Sequence, residues 1–413
     1  MKAVFTTLII TFMLLGTSDS SAQTRIITLD EAIDLALENN LNIKAASLNK
    51  EAAQKLEQSS FELPKTNVSF QYGNNEGFEY NDGIQISQSI PFPTLFGAKK
   101  QLFEAQTQGK EWDKQNSVNE LKSQVRSYYY QLRFLENNAE KLRYLDGLYE
   151  DFVKIASLRY KTGDTRKIDI NTAETQRGEI TLLYQQNEIY IQNAYKNLKT
   201  LLQIKEDFNI QKETFSPMFL SSVINSDAVA NHPKINALLQ QAKIAEQSKK
   251  VEKAQALPDI SLGYNNVSLI GMHTKNNIDS YYGRSQRFSF FDVGITIPIT
   301  FGATKSRLRS LEAQKQAAEL SAEMQQQQLI TDFENSMQQY EQNVRQYNYY
   351  YKQALPNSEE MITISQLGYK TGEISYVEYL YALNMATNVQ LKYLEAIQKI
   401  NQSVIDINSL INK

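Results

Sequence analysis

The stretch LRYKTGD at residues 158–164 returns as LGYKTGE at residues 367–373, each copy inside otherwise helical sequence. Gly163 and Gly372 follow long helical patterns at the point where a left-handed cap costs glycine little. A fresh helical stretch starts after each, KIDINTAETQRGEITLLY in the first case and SYVEYLYALNMATNVQLKYL in the second. The chain therefore reverses twice at the same kind of turn, and an internal duplication sets its architecture.

Working outward, each turn is preceded by a stretch without a helix breaker, from about Ala98 to Tyr160 and from about Thr304 to Tyr369, Pro356 excepted. At 1.5 Å per residue, roughly 60 residues make a helix about 90 Å long. Val118, Leu121, Val125, Tyr128, Leu132, Leu135, Ala139 and Leu142 step by three and four, the spacing of a coiled-coil seam. Through Leu145 and Leu148 the steps run three by three, which predicts a local overwinding with Gly147 inside it. Pro356 lies eleven residues before Leu367, just as Gly147 lies eleven before Leu158. Both are hinge candidates, although accommodated curvature explains them as well.

Further out, each half holds a helical stretch stopped by Leu-Pro, at Leu63-Pro64 and Leu257-Pro258, and then two alternating segments. Strands are expected at about 65–73, 84–92, 259–268 and 288–299, with Val68, Phe70, Tyr72, Ile260, Leu262, Tyr264, Val293 and Ile295 on apolar faces. Proline followed by Phe96-Gly97 or Phe301-Gly302 predicts an abrupt corner from strand to helix with glycine at the corner. The loop from Ser268 to Arg287 reads as long, polar and turn-rich. The fold expected is mainly α with a small β part: a first repeat at 23–205, an inter-repeat waist at 206–230 and a second repeat at 231–413. Both reversals lie at one extremity and all four strands at the other.

Residues 1–22 read as a signal peptide, Lys2 preceding a short apolar run and the small residues Ser20, Ser21 and Ala22. No later segment has the length and apolarity of a membrane-crossing helix, so entry into a bilayer would have to be as strands. Four strands cannot close on themselves, and open edges in lipid leave backbone groups unpaired at several kcal/mol each. Several chains would have to pool their strands. The absence of cysteine removes disulfides, thiolate metal sites and N-terminal lipid attachment. A net charge of −3 without a basic stripe argues against nucleic acid. No catalytic arrangement or cofactor motif stands out. Met272-His273 falls short of a metal site, and His232 before Pro233 reads as a helix start.

The duplicated Leu-Pro and strand, the proline-to-Phe-Gly passages, and above all LRYKTGDTRKIDINTAE with LGYKTGEISYVEYLYALN resemble the TolC family of outer-membrane efflux proteins, over essentially all of the mature chain. The resemblance implies a homotrimer with a twelve-stranded barrel in outer-membrane lipid and a periplasmic helical tunnel. It further implies docking on a periplasmic adaptor (membrane fusion protein) and an inner-membrane RND-type pump. GEISYVEYL looks most like the heavy-metal cation branch, whose members are often lipid-anchored, and a chain without cysteine departs from that. By the same resemblance, Glu378, Asp169 and Tyr381 match positions that narrow the tunnel mouth. Tyr160, Gly163, Tyr369 and Gly372 match the adaptor-contacting tip turns. Ser375 and Glu378 also form a capping-box pattern, so ring and cap both stand for Glu378, while Asp169 reads as a solvated first-turn acid. Export of drugs or of secreted polypeptides is an alternative within the channel class. A periplasmic coiled-coil scaffold or adaptor is the alternative outside it.

Overall fold

The computed structural model describes residues 25–74, 79–221, 224–299 and 301–413. The signal-peptide expectation at 1–22 lies outside the described residues. A short strand β1 (Arg25–Ile27) leads into helices α1 (Leu29–Asn39) and α2 (Leu41–Glu57), then strands β2 (Asn67–Gly73) and β3 (Asn81–Ile90). A helix of 68 residues follows, α3 (Thr94–Lys161), about 100 Å long at 1.5 Å per residue. The chain then reverses into α4 (Lys167–Leu202). Strand β4 (Phe208–Ile210) and a 3-10 turn (Ser226–Asn231) occupy the waist before α5 (Pro233–Gln255). The plan then repeats with strands β5 (Asp259–Ser268), β6 (Gly271–Lys275), β7 (Ile278–Tyr282) and β8 (Arg287–Thr296). The second long helix runs as α6 (Phe301–Tyr349), a π-turn (Tyr350–Ala354) and α7 (Leu355–Thr371), and α8 (Tyr376–Leu410) returns.

Burial is spread along the shaft in clusters, as expected when long helices pair along a seam. Near the waist Leu121, Val125 and Leu132 of α3 pack with Leu198 and Leu202 of α4 and Ile33 of α1. Tyr347 of α6 meets Ile397 and Ile400 of α8 together with Phe215. Helix α5 lies against both α3 and α6, so the upper shaft is shared between the repeats. At the waist β1 pairs in parallel with β4, Arg25 opposite Phe208 and Ile27 opposite Ile210.

Several expectations are corrected. The fully buried positions of α3 pass from Leu145 to Tyr149, Phe152 and Ala156, in steps of four, three and four, with Leu148 only partly buried against the same core. Tyr149 is buried in that core, and its hydroxyl is satisfied there by donating to Asn384 Oδ1 at 2.5 Å on α8. The helix runs unbroken through exposed Gly147. At Pro356 the ladder changes: proline lacks an N–H and its ring crowds the preceding turn, and the π-turn just ahead absorbs this, Leu355 N–H bonding to Tyr350 O. The strand-to-helix corner before α3 falls at Pro91–Pro93, and Gly97 already lies within the helix. The stretch after Ser268 contains a hairpin: β6 pairs with β7, and Asn276 and Asn277 hold φ of 55° and 60°, as a type I′ turn demands.

Candidate functional site

Two regions carry functional geometry, the sheet at one end and the pair of reversals at the other. The sheet order is β2-β3-β5-β8, antiparallel throughout. Its register aligns Val68, Ile86, Tyr264 and Phe291 in one row, and Ile90, Ile260 and Ile295 in another. Because side chains alternate along a strand, these rows share one face. That face is apolar and bare: Phe291 is 80% exposed and Val293 73%. The opposite face carries the rows Asn67, Ser87, Gly263, Asp292 and Ser69, Gln85, Asn265, Phe290. On it the Asn265 amide donates to Asp292 Oδ1. Among the described residues β2 and β8 each have one unpaired edge. A sheet with a bare apolar face, a polar face and two open edges leaves both surface and backbone uncovered in a single copy.

At the other end both reversals close on a left-handed glycine, with the next residue's N–H reaching back to the last turn of the helix. Asp164 N–H reaches back to Arg159 O at 2.8 Å and Glu373 N–H to Gly368 O at 2.8 Å. Gly163 and Gly372 hold φ of 84° and 83°, where a side chain would be strained. The two copies meet side by side, since Arg159 Nη1 donates to Tyr369 O at 3.2 Å.

Equivalent residues nonetheless sit differently. Tyr369 is 1% exposed, its ring stacked on Tyr379 at 4.8 Å, with Phe152 edge-on and the Arg159 guanidinium over it at 5.0 Å. Tyr160 is 45% exposed, with the Lys167 ammonium 5.9 Å from its ring centre. Asp169 is 6% exposed, which corrects the expectation of a solvated acid. Its carboxylate accepts from Arg166 N–H at 3.1 Å and from the Thr165 hydroxyl, so it closes the start of α4. Glu378, the matching residue, is exposed and completes the capping box with Ser375, accepting from Ser375 N–H at 2.7 Å while Glu378 N–H donates to Ser375 Oγ at 3.3 Å. That backbone hydrogen bond from Ser375 holds its carboxyl below the usual range. Tyr381 stands one turn further on and is 66% exposed. Burial among aromatic rings pushes the Tyr379 phenol up to about 12.

Sequence reasoning missed Phe152, Tyr376 and Tyr379, which make the aromatic core of the tip. The available signal was the aromatic spacing of Tyr376 and Tyr379 in the first turn of α8, where α4 has Lys167 and Ile170. It also missed Arg177, which braces α4 to α3 by reaching Asp146 at 3.3 Å and Glu150 at 3.0 Å, on either side of Gly147. His232 caps α5, accepting from Lys234 N–H at 3.2 Å, as its place before proline suggested.

A four-stranded sheet carried on a long duplicated helical shaft is a fold shared with several solved structures. The family described as outer membrane efflux protein matches residues 224–413, which include the whole second repeat. No curated protein matches the sequence. Among solved structures, CusC, described in the context of transmembrane channel formation, is 16% identical with a TM-score of 0.77, covering 94% of this chain and 93% of its own. The Neisseria gonorrhoeae MtrE outer membrane channel in its open state is 20% identical at TM-score 0.74, covering 93% and 88%. The Campylobacter jejuni CmeC outer membrane channel is 18% identical at TM-score 0.72, covering 93% and 85%.

Proposed function

We propose that the protein is a passive outer-membrane channel, three copies pooling four strands each into one barrel, with the helical shaft extending into the periplasm toward an adaptor and an energised inner-membrane pump. One observation carries this reading: the sheet presents a bare apolar face on one side, a polar face on the other, and open edges at β2 and β8. Lipid satisfies the first, water in a lumen the second, and only neighbouring strands the third. Purified mature protein is expected to run as a trimer in detergent and to give discrete conductance steps in planar lipid bilayers. A water-soluble monomer without affinity for vesicles would overturn the channel and favour the scaffold reading.

Within this reading, Glu378 and Tyr381 are the aperture residues, since both are exposed in the first turns of α8, whereas Asp169 is committed to its cap. Tyr160 with Gly163 and Gly372 forms the adaptor-facing surface, and buried Tyr369 acts on it only through packing.

For cargo, organic solutes or polypeptides fit better than heavy-metal cations. The stretch that suggested the cation branch, GEISYVEYL, is accounted for by the tip itself: Gly372 makes the turn, Ser375 and Glu378 the cap, Tyr376 and Tyr379 the aromatic core. It carries no independent information about what passes. Deleting the gene is expected to raise sensitivity to dyes and antibiotics and leave metal tolerance unchanged; the reverse would restore the cation reading.

A further inference from the structure

The four strands of the sheet hold few charges, and the register sorts them by face. Arg287 is the one basic residue in β2, β3, β5 and β8. It lies opposite Ser268, two steps of two beyond the Tyr264–Phe291 pair, and so belongs to the apolar side. There its Nη1 binds Asp82 Oδ1 at 2.6 Å, and the charge is paired. The polar face carries carboxylates alone, Asp259 opposite Thr296 and Asp292 opposite Gly263. Asp259 opens β5 at the shaft end, where exposed Lys65 enters just ahead of β2. Asp292 stands at mid-height of the sheet, and no basic residue of the strands shares its face.

The wall is also shaped around Asp292, which is exposed. A Cβ at Gly263 would lie 2.7 Å from Asp292 Cγ, so the carboxylate fills the space that any other residue's side chain would take. From the same strand as Gly263, the buried Asn265 amide donates to Asp292 Oδ1. Glycine beneath and amide beside keep the charge against the wall at a fixed height.

We propose that the three copies of Asp292 form a ring of fixed negative charge around the barrel lumen, which favours cationic and neutral solutes over anionic ones. This assignment rests on the channel reading and adds the class of solute. Twelve strands about 4.8 Å apart and tilted about 40° make a wall of radius about 12 Å. The ring therefore acts through its field, and the reach of that field follows the Debye length. For three unit charges at that radius, screened Coulomb interaction in water gives cation-to-anion ratios on the axis of about ten at 0.01 M salt, about three at 0.1 M and about one at 1 M.

The test is the reversal potential of the full-length trimer in planar phosphatidylcholine bilayers under a KCl gradient of about 0.1 M against about 0.01 M. Protein added from one side keeps its polar shaft on that side, so the dilute solution can be set to face either barrel or shaft. With the dilute side at the barrel, Asp292→Asn should lower the potassium-to-chloride permeability ratio at least threefold, while Asp292→Glu should keep it. With the gradient reversed the loss should shrink. A second measurement needs no variant: the wild-type ratio should fall toward one when both solutions are raised to about 1 M KCl or above. A ratio unaltered by Asp292→Asn in either direction, or a wild-type preference undiminished at high salt, places selection at the aperture of Glu378 and Tyr381; either result overturns the ring and leaves the channel standing. Absence of any conductance overturns both.

Discussion

The two reversals are written in nearly the same letters, yet they do opposite work with the same residue types. In the first repeat the tyrosine is outside and the carboxylate buried; in the second the tyrosine is buried and the carboxylate outside. The cause lies a few residues downstream. Tyr379 at the start of α8 offers Tyr369 a stacking partner, whereas Lys167 and Ile170 offer Tyr160 only a cation at 5.9 Å. The repeat thus conserves the backbone turn and frees the side chains to diverge. One copy becomes the packed pivot of the tip and the other its exposed surface.

The strongest way to break this comparison is to truncate both tyrosines. Tyr369→Ala empties a core position and is expected to cost about 3–5 kcal/mol in the local stability of the tip, read as lost hydrogen-exchange protection of α7 and α8 amides. Tyr160→Ala should cost no more than about 0.5 kcal/mol. Equal losses would show that both rings pack alike. The next effect is one the two copies should share: Gly163→Ala and Gly372→Ala each force a side chain into positive φ and should cost about 1–2 kcal/mol by the same measurement.

The capping acids sharpen the contrast by pH. The folded pKa of Glu378 is lowered, so its cap contribution is fully present above the ordinary value of 4.5 and is lost as pH falls through the lower folded value. The first turn of α8 should therefore fray below pH 4.5, by amide exchange, and Glu378→Gln should remove that dependence. Asp169→Ala, which strips a buried acceptor from Arg166 N–H and Thr165, should destabilise the start of α4 by about 1 kcal/mol.

The smallest effects are expected at the paired helix-weakening sites. A Cβ at Gly147 would meet nothing within 4 Å, so Gly147→Ala should stabilise α3 by up to about 1 kcal/mol. Pro356→Ala should return the π-turn to regular α-helix, visible in backbone chemical shifts. If the double substitution leaves bilayer conductance and export unchanged, neither residue is a hinge.

Much of this was legible beforehand because it depends on local rules. Alternation placed all four strands of the sheet, Thr-Gly placed both reversals, and the three-and-four spacing placed the shaft. What stayed hidden depends on partners distant in the chain. The three-residue strand β1 has no signal of its own and exists because β4 lies beside it. Tyr149, more deeply buried than Leu148, finds the partner for its hydroxyl in Asn384 on another helix. Asp169 looked solvated because nothing nearby shows how closely the second repeat packs over the start of α4.

By itself the sequence determined the backbone plan, since helix, strand and turn preferences act over a few residues and were written twice. Tertiary structure alone decided which member of each duplicated pair is buried. Burial is set by whatever the fold brings alongside a residue, and two identical stretches cannot differ until their neighbours do.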